Sequence, residues 1–251
     1  LCKNKRLCFY HIHNPDDFAK LNFLRYTPEA RLVMMVREPI QSCESWIGGH
    51  FNNNDYDKII HRMINMLFAI DQIAFRTQVS VGIRLEDLKA QPEETLRSLC
   101  AWLGVKETPS LYQMTAQGKK WWGDPSSPDY DVNKAMPPFG KSPIGRSVGA
   151  VFSEKDQFIL RTLFYPFCVR FGYRKPDPVG FEKDLKEIRP LFDDMLDFEK
   201  VLSERSKIYP AQFKRNGSYL LLRASFMDRW DVLNEFKDYP NMLSPLEITI
   251  D

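Results

Sequence analysis

An α/β fold built as a three-layer parallel sheet flanked by helices is what three stretches of this sequence predict. Leu32 to Val36 is an unbroken apolar run of five, too short for a helix core and suited to a strand covered on both faces, as in parallel sheets. Val79, Val81, Ile83 and Leu85 alternate at period two, a second strand signal. Between them Ile59, Ile60, Met63, Met66, Leu67, Ile70 and Ile73 recur at helical spacing, which predicts a long amphipathic helix over 56–75 whose methionines are core.

A chain of 251 residues, 43% hydrophobic and 27% charged, has material for one sizeable core and a small appendage. Its 35 basic and 33 acidic residues leave a formal charge of +2, which excludes a general polyanion binder and so a nucleic-acid partner; any anion recognition is local. Cys2, Cys8, Cys43, Cys100 and Cys168 are odd in number and lack paired spacing, so they read as buried thiols of a reducing, cytoplasmic compartment, with no zinc or other metal expected. No apolar run approaches the roughly 18 residues of a membrane span. The sequon Asn216-Gly217-Ser218 weighs little against that, because such triplets arise by chance. The first residue is Leu1, and only three stretches read as buried strands, which is few for a covered parallel sheet. The expectation is a chain that lacks its natural beginning.

Taken in order, Leu7 to His13 is the first predicted strand, ended by Asn14-Pro15; Asn14 caps a helix with Pro15 at its first position and Asp16-Asp17 in its positive first turn. After Leu32 to Val36 comes Arg37, then Glu38-Pro39, so a helix is expected from about Ile40 and is expected to stop at Gly48-Gly49. A cation and the N–H groups of a helix start thus converge beyond the carboxyl end of a central strand, where open α/β sheets bind ligands and phosphate is held. His50 to Asp57 reads as an exposed polar loop bordering an acceptor site. Past the second strand, Glu86 and Asp87 support a turn, Gln91-Pro92-Glu93-Glu94 starts a helix with Leu96, Leu99 and Leu103 on its buried side, and Gly104 ends it. Gly118 to Gly149 is long and aperiodic, the pattern of a lid or binding loop. Within it Ala135 to Ser142 approaches a Walker A P-loop, yet alanine replaces the first glycine, no strand precedes it and Pro143 obstructs the helix start. Ser153-Glu154-Lys155-Asp156 has the form of a capping box. From Lys175 the composition shifts to a charge-rich helical stretch broken at Pro190, then a stripe of Leu222, Phe226, Trp230 and Leu233.

Several of these segments resemble, in the same order, those of sulfotransferases that use 3′-phosphoadenosine 5′-phosphosulfate (PAPS). Strand-Arg37-x-Pro39 followed eight residues later by Ser45 is similar to their 3′-phosphate-binding segment, which implies that Arg37 and Ser45 hold that phosphate. His11-Ile12-His13-Asn14-Pro15 resembles the family's Lys-Thr-His-Leu-Pro, so His13 matches the general base, although His11 stands where the family has lysine. Arg84-Leu85-Glu86-Asp87-Leu88 and the helix after it resemble the Tyr-Glu-Asp-Leu segment. Gly140-Lys141-Ser142-Pro143-Ile144-Gly145-Arg146 is similar, with one extra residue, to the Gly-Lys-Ser-Lys-Gly-Arg loop of heparan-type members, which implies that Lys141 and Arg146 meet the 3′-phosphate while Gly145 lets the backbone approach. Phe171-Gly172-Tyr173 resembles the close of the core.

The resemblance covers about residues 7 to 174. It implies a P-loop-NTPase-like sulfotransferase fold whose first strand and phosphosulfate-binding loop precede Leu1, where a Golgi-type anchor would also lie. On this reading residues 1–174 are a partial core and 175–251 a helical extension that packs on it, covers the acceptor or joins an oligomer. The implied activity is transfer of a sulfuryl group from PAPS to a hydroxyl or amine of a small-molecule or carbohydrate acceptor, and this piece alone is expected to be inactive. A nucleotide kinase on the same sheet and a noncatalytic nucleotide-binding or interaction module are the rival readings.

Overall fold

The computed structural model describes residue 9 and residues 25–69, 78–113, 115–116, 119–120, 123, 130–134, 137–140, 144, 147–238 and 243–249. The predicted strand over 7–13 and the helix after it lie outside the described residues.

Strand β1 (Arg31–Val36) leads through Arg37 and Glu38 into helix α1 (Pro39–Asn52), followed by α2 (Tyr56–Ala69), strand β2 (Val79–Arg84), the short α3 (Leu85–Ala90) and α4 (Pro92–Leu103). The two strands pair in parallel, Arg31 opposite Val79 through Val36 opposite Arg84, so the carboxyl ends of both strands open on the same side. A two-residue antiparallel ladder joins β3 (Thr115–Ala116) to β4 (Lys119–Lys120). The rest is helical: α5 (Glu154–Leu163), α6 (Tyr165–Arg170), α7 (Pro178–Ile188), a 3₁₀ turn at Arg189–Asp193 where Pro190 breaks the helical run, α8 (Asp197–Arg205), α9 (Pro210–Phe213) and α10 (Gly217–Phe236). This is α/β content with a small parallel sheet and many helices.

Three expectations are corrected. Strand β1 is not covered on both faces: Val36 is buried and Met34 packs on the core, while Val33 and Met35 on the other side are 41% and 47% exposed. Helix α1 does not stop at Gly48-Gly49. It runs one turn further to Asn52, because neither glycine takes a positive φ and Phe51, beyond them, is buried in the core. The polar loop shrinks accordingly to Asn53–Asp55. The last part of the chain is not wholly helical either. Its tail runs extended beside β2, Gly82 N–H donating to Ser244 O at 2.7 Å and Leu246 N–H to Gly82 O at 2.8 Å, with a parallel bridge from Gly82 to Pro245.

Other signals held as read. Pro92 opens α4 and Gly104 closes it at φ 70, the left-handed conformation that glycine adopts without a Cβ penalty. Ser153 caps α5 by accepting from Asp156 N–H at 3.1 Å. The Asp156 carboxylate accepts from Asp197 N–H and Phe198 N–H at 2.8 and 3.0 Å, seating the start of α8 on α5.

Side chains on both sides of residue 175 join one hydrophobic cluster, from Val36 and Ile40 through Ile159 and Phe171 to Phe198, Leu222, Phe226 and Leu243. Arginines from the last third of the chain close helix ends in the first. Arg205 donates to Phe51 O in the last turn of α1 and lies 4.7 Å over the Phe51 ring; fully buried Arg229 donates to Leu67 O near the end of α2 at 3.0 Å and lies 4.7 Å over Phe68. Carbonyls of a final helical turn lack intrahelical partners and carry the negative end of the dipole, so guanidinium groups suit both positions. Beside them Glu199, also fully buried, accepts from Tyr56 Oη at 2.5 Å, from Leu196 N–H at 2.7 Å and from Arg223.

Gly82 is wedged between β2's neighbours: a Cβ there would lie 2.6 Å from Phe171 Cζ and 2.8 Å from Leu243 Cδ2. Gly82→Ala therefore costs about 1–3 kcal/mol, as overpacking does, read from urea unfolding midpoints. Burial pushes the Cys168 thiol up to about 12 and raises that of Cys43 further. At pH 8 both stay protonated and alkylate slowly in the folded protein but rapidly in guanidinium, as peptide mass spectrometry will show. Because the folded thiols keep their protons to higher pH than unfolded ones, their contribution to stability is complete below about pH 8.5 and declines as pH rises above it.

Candidate functional site

The site is built where β1 and β2 end. The chain leaves Val36, passes Arg37 and enters α1 at Pro39, whose fixed φ suits the first helical position. Glu38 is the N-cap: its carboxylate accepts from Gln41 N–H at 2.6 Å. Its own N–H donates to Glu86 Oε1 at 3.1 Å, and the other oxygen of Glu86 accepts from Tyr173 Oη at 2.8 Å. Glu86 thereby ties the turn after β1 to the first turn of α3 and to the segment after α6. Arg84 lies 4.7 Å over the Tyr173 ring and 3.6 Å from Asp87. Burial raises the Asp87 carboxyl, with Arg84 opposing it, and burial together with Glu86 raises the Tyr173 hydroxyl. Glu86 and Asp87 stand in a short helix rather than a simple turn, and the hydrogen bonds of Glu86 and the ion pair of Asp87 with Arg84 are those of supports.

Arg37 is half-buried, and its Nε donates to Gln41 Oε1 at 2.8 Å. Gln41 and Ser45, four residues apart, lie along one side of α1, with Ser45 exposed, and Arg37 reaches Gln41 from just before the helix. Gln41 Nε2 donates in turn to Ile144 O at 3.3 Å, so the aperiodic loop comes down on this ridge. Two further side chains hold the loop. Lys89, lowered in pKa by burial, donates to Pro138 O at 3.2 Å, and Glu44 accepts from the successive N–H groups of Gly149, Ala150, Val151 and Phe152. Alongside lies a mostly apolar cavity of about 270 Å³, lined among others by Met34, Arg37, Ser42, Trp46, Met66 and Phe164.

Of the residues singled out from sequence, Arg37 stands just before α1 and Ser45 within it, with Gln41 between them accepting from Arg37 Nε and donating to Ile144 O. His13, Lys141, Gly145 and Arg146 lie outside the described residues. At the start of α1, where N–H groups are expected to face a ligand, that of Gln41 is engaged by the Glu38 carboxylate. Among the described residues no group of three or more His, Cys, Asp or Glu is arranged to hold a metal, and no helix is long and apolar enough to cross a membrane.

Residues 3–109 match the sulfotransferase family. No curated protein and no solved structure matches the chain. This match supports a sulfotransferase-type function, and the matched segment contains β1, α1, α2, β2, α3 and α4 with Arg37, Gln41, Glu44, Ser45, Glu86 and Lys89. Pro138, Ile144, the amides of 149–152 and Tyr173 lie beyond it, joined to it by the hydrogen bonds above.

Gln41, Glu44, Lys89 and Tyr173 were missed in the sequence. Gln41 had a usable signal, since it stands one helical turn after Arg37 and one before Ser45. Glu44 had another, an acid beside the apolar positions Ile40, Cys43 and Ile47. Tyr173→Phe removes one hydrogen bond to a carboxylate and keeps the ring under Arg84, so it destabilises by about 1.5–3 kcal/mol in urea unfolding.

Proposed function

We propose that the protein is a PAPS-dependent sulfotransferase acting on a hydroxyl or amine of a small-molecule or carbohydrate acceptor, on a three-layer, P-loop-like core. The observation that carries this reading is Arg37. It stands at the carboxyl end of a parallel strand, half-buried and oriented by Gln41, which shares a side of α1 with Ser45, within the segment that matches the family. A guanidinium at the helix entrance and a hydroxyl eight residues further on suit a phosphate monoester. Arg37 and Ser45 hold the nucleotide's 3′-phosphate, with Lys141, Gly145 and Arg146 meeting it from the loop of which Ile144 is part. PAPS supplies the sulfuryl group. As the acceptor oxygen or nitrogen bonds to sulfur, the bond from sulfur to the 5′-phosphate breaks and adenosine 3′,5′-bisphosphate leaves. His13 takes the acceptor's proton, which its near-neutral unperturbed pKa suits.

The support is local: a chain with a formal charge of only +2 and a guanidinium at one strand end fits recognition of a single small anion. A contact from a charged donor is worth about 1.5–3 kcal/mol, so Arg37→Ala weakens binding of adenosine 3′,5′-bisphosphate about tenfold or more, measured by calorimetry on the full-length protein. Unchanged affinity removes Arg37 from the site.

A further inference from the structure

Glu44 is 7% exposed on the buried side of α1, where Ile40, Cys43 and Ile47 are core. Its carboxylate accepts from Gly149 N–H at 3.1 and 3.0 Å, Ala150 N–H at 3.3 Å, Val151 N–H at 3.2 Å and Phe152 N–H at 2.8 Å. Successive N–H groups converging on one point form a nest of the kind that binds anions, here filled by a side chain of the same molecule. Gly149 has φ +115, a conformation that side chains rarely adopt, and the four-amide run around Glu44 begins there. A buried carboxylate is costly unless its oxygens are fully bonded. An apolar residue would have met the packing needs of this face. What the acid adds is a fixed position for the backbone of 149–152.

That position bears on Arg37 through the loop's second attachment to α1. The nest lies a few residues beyond Ile144, whose carbonyl accepts from Gln41 Nε2 at 3.3 Å, while Gln41 Oε1 accepts from Arg37 Nε at 2.8 Å. Gln41 and Glu44 are three residues apart on α1, so the loop is fastened twice to the helix that begins beside Arg37. We propose that Glu44 is a positioning residue: by holding the amides of 149–152 it sets Ile144 against Gln41 and so orients the Arg37 guanidinium toward the nucleotide. This rests on the nucleotide reading of Arg37.

The test uses full-length protein, adenosine 3′,5′-bisphosphate as the calorimetric probe and amide exchange at 149–152. Glu44→Gln speeds exchange at these amides and weakens nucleotide affinity about fivefold, the scale of one oriented hydrogen bond. In a Gln41→Ala background, where the chain to Arg37 is already cut, the same substitution weakens affinity less than twofold, because the two act in series. Glu44→Asp, which keeps the charge and shortens the reach, gives the same pattern at smaller amplitude and serves if Glu44→Gln does not fold. Faster exchange with unchanged affinity overturns the proposal, as does an equal loss with or without Gln41. Failure of the unsubstituted protein to bind the probe overturns the functional reading itself.

Discussion

A cation stands at the entrance to helix α1 because the link from β1 into it is held from two sides. On one side Glu38 closes the helix start with its own carboxylate; on the other Glu86 receives the Glu38 N–H and the Tyr173 hydroxyl. Two strand ends, a helix start and the segment after α6 thus meet within a few hydrogen bonds. Arg37 stands between Val36, the last residue of β1, and this braced link, and its side chain is oriented by Gln41 one turn on. The arrangement answers an electrostatic problem: several carboxylates crowd a site proposed to bind an anion. Glu38 and Glu86 accept N–H and O–H donors, and Asp87 faces Arg84, so these acids are partnered locally.

The rest of the molecule keeps α1 and α2 in place. Arg205 and Arg229 bond carbonyls near their ends, α1 packs against α2 and α5, and α2 packs against α10. Isolated helices of this length are marginal in water, so tertiary contacts supply most of their stability. The buried group of Tyr56, Glu199 and Arg223 sits in that same interface. Burial raises the Glu199 carboxyl against the opposing pull of Arg223, and truncating either partner would strand the other away from water. The tail contributes from the far edge, where Leu243 and the hydrogen bonds at Gly82 cover β2.

Much of the architecture was legible in local pattern. Apolar runs and alternation located both strands, Pro92 and Gly104 bounded α4, and Ser153 marked the start of α5. Reading failed where a distant contact outweighed a local preference. Gly48-Gly49 favour a helix stop, but the burial of Phe51 draws the helix through them. The uniform apolarity of Leu32 to Val36 hid the difference between its faces, because composition records what a residue tolerates and not what covers it. For the site, Arg37 and Ser45 were singled out by a resemblance whose pattern is local to the strand end and the helix after it. Glu44, Lys89 and Tyr173 depend on partners 105, 49 and 87 positions away, and no short-range signal names those partners.

The central claim is that the start of α1 and the loop fastened to it form one binding site for a bisphosphorylated adenosine. Titrating adenosine 3′,5′-bisphosphate into isotopically labelled full-length protein while recording amide and arginine side-chain NMR shifts tests it most directly. The account predicts saturable shifts gathered at Arg37, Gln41, Ser45, Ile144 and the amides of 149–152. Saturable shifts gathered instead along α8 to α10, or none at ligand concentrations well above the protein's, contradict it.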